Sequence, residues 1–450
     1  MNYDNTNTKI NFSSESFKKY FKNTGWMFFE RVIRIFLAFI VSILLARYLG
    51  PKDYGLFNYI LSFTGLFTII SSFGIENILV RELVKSPDKS NELLGTAFRI
   101  RIIGSLITII LCITTAALLN EEYFNLILIF IISTSTIFQS VSVVEQFFQA
   151  KVEAKKNAIV QSLSFFLTSI IKIIFIILEL PLIMIVFAHI SEFIFLSIGY
   201  YLIYIKSGYD FRDWKLNLEL LKTFIKDSFP LMLSGLVISI YMKIDQVMIK
   251  KMMSSQDVGF YAAAVKISEA WYFFPMVISA SLFPAIVNSK MISESLYLNR
   301  IQKLYDLLAA TAISIAIPTT VFSNLIIYIL FGKDFEPAST VLTIYIWAGV
   351  GTFLGVASSQ YLINENLTKL SFYRTLIGMV VNVLLNIYLI PRYGINGAAF
   401  ATLVSYNLAA FSIFISSKTR NQFFMMLKSI FLINIVKESI KYVIKLQRKN

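Results

Sequence analysis

The residues with chemistry to offer in this 450-residue chain are charged side chains set inside apolar runs. Glu30, Arg31 and Arg34 share one run, Lys172 lies in a second, and His189 and Glu192 in a third. Lys243 and Asp245 fall in a fourth, and Lys266 and Glu269 in a fifth. A charge in hydrocarbon costs a few kcal/mol on insertion scales, so each is expected to face protein or a water-filled cavity. Spacing groups them. Glu30 and Arg34 are i,i+4, while Arg31 and Arg34, and His189 and Glu192, are i,i+3, so each pair shares a helix face. Lys266 lies about 12 Å into its run at about 1.5 Å per residue, too deep to reach water easily. An internal Lys266–Glu269 ion pair is the competing reading. Arg31 is close enough to the polar edge of its run to snorkel, and His189 reads equally as a packed, hydrogen-bonded core residue. Arg31, Arg34, Lys172, Lys243 and Lys266 come from both ends of the chain. Converging in a low-dielectric cavity, they suit an anionic cargo, because Lys and Arg pair with phosphate in charge-assisted hydrogen bonds. Glu30, Asp245 and Glu269 are the carboxylates placed to bind a coupling H+ or Na+.

The elements that hold these groups must be membrane helices. Hydrophobic residues make up 56% of the chain and charged residues only 15%, against about 25% charged in a soluble domain, and mean hydropathy is +0.69. The expected fold is all-α, a polytopic membrane protein of about twelve transmembrane helices in two pseudo-symmetric six-helix bundles around a central cavity. Residues 1–22 are read as a polar, basic cytoplasmic segment and 23–205 as the first bundle. Residues 206–228, the longest mid-chain polar connector, are read as a cytoplasmic linker, 229–416 as the second bundle and 417–450 as an amphipathic cytoplasmic tail. Alternate loops, beginning with the N-terminus and ending with the tail, hold roughly thirty Lys and Arg. The opposite set holds about six, which predicts both termini on the cytoplasmic side. The formal net charge of +14 therefore reflects topology, and nucleic acid is not an expected partner.

Catalysis finds no support. The sequence has no GxGxxG, Walker, GxSxG or HExxH pattern, and no cofactor is expected. The lone His189 cannot build a His-rich metal site, and the lone Cys112 makes no intrachain disulfide. The outer loops are a few residues long. This argues against a polysaccharide polymerase or ligase, which needs a long outer loop to hold reactive groups.

Two short stretches echo each other about 204 residues apart: Asp53-Tyr54-Gly55-Leu56 and Asp257-Val258-Gly259-Phe260, each at the mouth of a helix pair. More weakly, IVFAHISEF is similar to AAFATLVSY. The blocks ARYLGPKDYGLFNY, SSFGIENILVREL, DQVMIKKMMSSQDVGFYAAAVKISE, LFPAI and IPRYGINGAAFATLVSY, in this order, carry a wider likeness. From about Asn23 to Ser416 the chain resembles the Wzx-type polysaccharide flippases of the multidrug/oligosaccharidyl-lipid/polysaccharide exporter superfamily. The resemblance implies a bacterial inner-membrane protein that moves undecaprenyl-pyrophosphate-linked oligosaccharide repeat units outward by alternating access, for O-antigen or capsule synthesis. It implies a lipid-linked oligosaccharide and membrane lipid as partners, and leaves open a polymerase or chain-length partner. Arg34 and Lys266 look like the family's cationic positions, and Asn382 and Asn386 match its polar pair in the eleventh span. Lys172 and Lys243 are assigned from expected burial alone. A cation-coupled multidrug antiporter and a lipid II flippase are the alternatives on the same fold.

Overall fold

A computed structural model describes residues 14–431 and residue 433, with side chains from Val32 onward. Among the described residues there are α-helices and short 3-10 turns but no strand. The helices are α1 (Ser14–Ser72), α2 (Glu76–Lys85), α3 (Ser90–Leu118), α4 (Tyr123–Gln139), α5 (Val143–Ala150), α6 (Ala154–Ile177), α7 (Leu182–Lys206) and α8 (Leu218–Met252). They continue with α9 (Ser255–Glu269), α10 (Phe273–Lys290), α11 (Glu294–Val321), α12 (Ser323–Phe331), α13 (Ala338–Tyr345), α14 (Ala348–Asn364), α15 (Thr368–Phe411) and α16 (Arg420–Ile430). Ten helical stretches among these residues are long and apolar enough to cross a membrane. A helix needs about 20 apolar residues to do so, and the protein is a multi-pass membrane protein.

Two of the ten double back. In α1 the backbone leaves the helix at Gly50, with φ +67°, and Ser42 Oγ then lies 3.0 Å from Tyr54 Oη. Twelve residues of straight helix would span about 18 Å. In α15 the break is at Gly394, with φ +59°, which brings Asn382 Nδ2 to 3.4 Å from Ser405 Oγ.

The eighth apolar run, read from sequence as one span, is two helices. α9 ends at Glu269 and α10 begins at Phe273. Pro275 in the first turn of α10 has no N–H to offer the preceding turn, so the chain breaks directly after Lys266 and Glu269. The linker also differs from expectation: α8 already begins at Leu218, capped by Asn217, whose side chain accepts from the N–H groups of Glu219 and Leu220. Pro318 lies near the C-terminal end of α11 and so ends that helix rather than kinking its middle. In the tail, α16 packs on α11, where Tyr305 donates to Gln422 Oε1 at 3.0 Å and Ser429 to Asp306 Oδ1 at 2.7 Å. The tail from Asn434 on, where polar residues recur at a helical spacing (Asn434, Lys437, Glu438, Lys441, Lys445, Arg448), lies outside the described residues.

Three apolar cores divide the molecule. One gathers residues from both halves beside the turns at Gly50, Asn120, Glu179, Ser254, Gly332 and Gly394, including Leu45, Tyr54, Leu128, Ile185, Val258, Phe331, Phe335 and Ile395. The other two lie at the opposite end and do not mix. One is built on Leu79, Phe147, Tyr204 and Trp214 of the first half, the other on Tyr297, Tyr305, Phe353 and Met426 of the second. The halves are therefore sealed together at the Gly50 end and hold separate cores at the linker end. Along one side they stay joined, because the second arm of α1 packs on α8: Ser62 donates to Gln246 Oε1 at 2.9 Å. Near the linker end Arg81 pairs with Asp227 at 3.2 Å.

The sealed end rests on the echoed motifs. A Cβ on Gly55 would lie 1.8 Å from the Ser255 carbonyl oxygen, and one on Gly259 would lie 2.0 Å from that of Pro51. Each glycine thus sits on the carbonyl four residues before the other, a reciprocal contact that only bare backbone at both positions permits.

Candidate functional site

Between the separate cores the intramembrane charges form a connected string. Arg34, in the first arm of α1, donates from Nη1 to Gln161 Oε1 at 3.0 Å. Gln161 Nε2 in turn reaches Glu145 Oε1 at 2.9 Å and Tyr200 Oη at 3.3 Å. These residues line a cavity of about 270 Å³ in the first half, with Gln139, Ser142 and Ser197. Glu145, placed by sequence at the edge of its span, is part of this cavity. Glu192 on α7 lies within electrostatic reach of Lys172 and Arg34.

The string crosses to the second half at Lys172. This buried lysine on α6, 8% exposed, is close enough to interact with Glu192 on its own side and with Lys266 on the other. Lys266 interacts with Glu269 and Lys243, and its place in the last turn of α9 suits a cation, because helix C-terminal carbonyls carry partial negative charge. The stem of Lys243 packs over Gly65 of the first half, its Cγ 3.8 Å from where a Cβ would stand. No Lys266–Glu269 salt bridge within 4.0 Å is among the ion pairs of the described residues. Lys172 is thus within electrostatic reach of Lys266, and Lys266 of Lys243, while Arg34 meets this string through Glu192. His189 is a packed residue, edge-on to Phe57 at 5.8 Å and to Phe193 at 5.7 Å between ring centres. Glu30 and Arg31 have side chains outside the described set.

Asp245, Asn382 and Asn386 belong to a second, drier cluster. Asp245, 5% exposed, accepts from Asn386 Nδ2 at 2.6 Å, Tyr261 Oη at 2.7 Å and Thr402 Oγ1 at 2.6 Å. Asn386 Nδ2 also donates to Asn382 Oδ1 at 3.1 Å. Both asparagines are fully buried. The structure therefore groups them with Asp245 on α8, away from the surface a bulky cargo would reach. Asn386 Oδ1 is buried and accepts no hydrogen bond. Asp245 makes no salt bridge among the described residues; three hydrogen-bond donors satisfy its buried carboxylate instead. Among the described residues no group of three His, Cys, Asp or Glu forms a metal site.

Sequence reading missed Arg374. This arginine near the start of α15 is largely buried and donates to Ser358 Oγ at 2.6 Å, to the Gly355 carbonyl at 3.1 Å and to Ser359 Oγ. Its signal was a lone arginine within the apolar run from Leu370 to Ile390.

Comparison with known proteins agrees with this architecture. The family described as polysaccharide biosynthesis protein matches residues 20–290. An uncharacterized membrane protein of Methanocaldococcus jannaschii is 26% identical over 82% of this chain and 91% of its own. A probable flippase of Haloferax volcanii, AglR, is 28% identical over 38% of this chain and 36% of its own. Among solved structures, the lipid II flippase MurJ in an inward closed conformation superposes with TM-score 0.71 and 17% identity, covering 92% of each chain, a likeness of fold alone. With more than half of its length matched, the chain belongs to the polysaccharide biosynthesis protein family.

Proposed function

We propose that this protein is a flippase that carries lipid-linked oligosaccharides across the membrane by alternating access. The chain would cross the membrane twelve times in two related halves, with the Gly50 end outward and both termini in the cytoplasm. The structure then represents the state sealed on the outside. The observation that supports the reading is the string of cations from both halves: Lys172 within reach of Lys266 and Lys266 of Lys243, with Arg34 joined to it through Glu192. A diphosphate headgroup would dock there while its sugars occupy the hydrated space and its prenyl tail stays in lipid. Moving such an anion unscreened through hydrocarbon costs tens of kcal/mol by Born estimates, and fixed cations with water remove most of that. Undecaprenyl pyrophosphate as carrier, a bacterial inner membrane, and O-antigen or capsule as destination are the finer form of this proposal. The flippase reading itself is supported by the family and by a relative named as a probable flippase.

Glu30, Asp245 and Glu269 are the candidate coupling sites, and the buried cluster at Asp245 is the one we favour for H+ or Na+. The lipid II flippase alternative rests on the likeness to MurJ and is told apart by rescue of peptidoglycan synthesis. The test is flipping of a fluorescent lipid-diphosphate oligosaccharide in proteoliposomes. Arg34→Ala and Lys266→Ala should each slow it by about tenfold or more, the loss of a charged hydrogen bond. Full activity in both variants would remove the docking assignment.

A further inference from the structure

The second half holds a cavity of about 240 Å³ lined by Tyr241, Tyr272, Thr352, Arg374 and Tyr406, with Gly351, Gly355, Ala409 and Ala410 supplying the space. We propose that it binds an acidic sugar of the cargo, Arg374 pairing with a carboxylate on one pyranose ring; this rests on the flippase reading. Drug-sized ligands occupy pockets of roughly 300–1,000 Å³, so this one takes a single ring rather than a whole repeat unit.

The guanidinium is the first reason. Its hydrogen bonds go to two serine hydroxyls and one backbone carbonyl, all neutral, and no carboxylate pairs with it among the described residues. Those bonds use one of the two Nη1 hydrogens and both at Nη2, which leaves Nε–H and the other Nη1–H without a protein acceptor. The two donors point from different edges of the guanidinium, so each offers a carboxylate oxygen a single charge-assisted hydrogen bond rather than a bidentate fork. An intramembrane charge with no internal counter-ion points to an anion that arrives from outside. The first-half cavity differs here, because Arg34 shares it with Glu145.

The aromatic wall is the second reason. Tyr241 and Tyr406 lie 4.6 Å apart between ring centres, tilted by 34°, and Tyr272 closes the cavity. The C–H face of a pyranose is apolar and packs on such rings. The lysine string serves the diphosphate, and this site serves the glycan.

The experiment uses the purified full-length protein and two synthetic lipid-diphosphate disaccharides that differ only in the terminal sugar, glucuronate or glucose. Arg374→Gln should weaken binding of the glucuronate lipid by about 10- to 100-fold, the range for one charged hydrogen-bonded contact, and leave the glucose lipid within about twofold. Arg374→Lys should recover part of the difference. Equal losses for both lipids would mean that Arg374 docks the diphosphate or only holds α14 to α15, and no change for either would mean it touches no cargo. Both outcomes overturn the proposal. Free sodium D-glucuronate against D-glucose, read as thermal stabilisation of wild type and Arg374→Gln, separates the two readings. Stabilisation by glucuronate that vanishes in the variant upholds the site even where neither lipid is flipped, an outcome that removes the flippase reading instead. Equal stabilisation of both proteins overturns the site.

Discussion

Substituting Gly55 by alanine should open the sealed end. The new Cβ would stand 1.8 Å from the Ser255 carbonyl oxygen, and ordinary contact begins at 3.4 Å, so α9 and the second arm of α1 must part by about 1.6 Å. The obstacle is helix backbone on both sides, which cannot rotate away as a side chain would. Overpacking of this kind costs about 1–3 kcal/mol. The contact exists only when the Gly50 end is closed, so the cost falls on that state and the closed-to-open ratio drops by roughly 5- to 150-fold. The assay is thiol labelling of Val258→Cys by a polar maleimide in the purified protein. Val258 is fully buried in the shared core, and the native Cys112, also fully buried, is replaced by serine. Labelling should accelerate by the same factor in Gly55→Ala. Gly259→Ala should match it, and the double variant should add little more, since parting the helices once relieves both clashes. An unchanged labelling rate in a variant that remains folded would refute the argument that this crossing closes the outer end.

Two further outcomes are expected. Asp245→Asn should abolish dependence of flipping on a Na+ or H+ gradient, and Thr402→Val, which keeps the carboxylate but removes one oxygen, should weaken cation affinity by about tenfold; gradient-dependent transport surviving in Asp245→Asn would exclude the site. Glu121, in the turn between α3 and α4, ties the halves by a salt bridge to Lys251 and accepts from Tyr59 at 2.7 Å and Asn125 at 2.8 Å. Burial pushes its carboxyl up, but the three donors outweigh that and hold it below the ordinary 4.5. A carboxylate with a depressed folded-state value contributes above its unfolded value and loses that contribution as pH falls through the lower folded one. The latch should therefore hold at pH 5 and release only in stronger acid, while Glu121→Gln should loosen it at neutral pH by about 1.5–3 kcal/mol and make little difference once acid has released it; equal labelling of Val258→Cys at pH 7 in both proteins would count against it.

Composition and spacing determined that the chain lies in a membrane and which buried charges needed explaining. These are local or summed properties: apolar length sets a span, and the cost of a charge in oil applies wherever that charge folds. The echo of Asp53-Tyr54-Gly55 and Asp257-Val258-Gly259 was also legible, and its meaning was not. Only tertiary structure put each glycine on the other's carbonyl. Likewise the sequence named Lys172 and Lys266 separately, 94 positions apart, and only the packing of both α6 and α9 on α1 brought their charges within electrostatic reach. Asn382 and Asn386 were read as cargo contacts because a sequence does not say which helix a polar face meets. The packing of α15 on α8 gave that face to Asp245. Arg374 escaped notice for the same reason. Its lack of an acidic partner is a property of three dimensions, decided by which side chains surround it after folding.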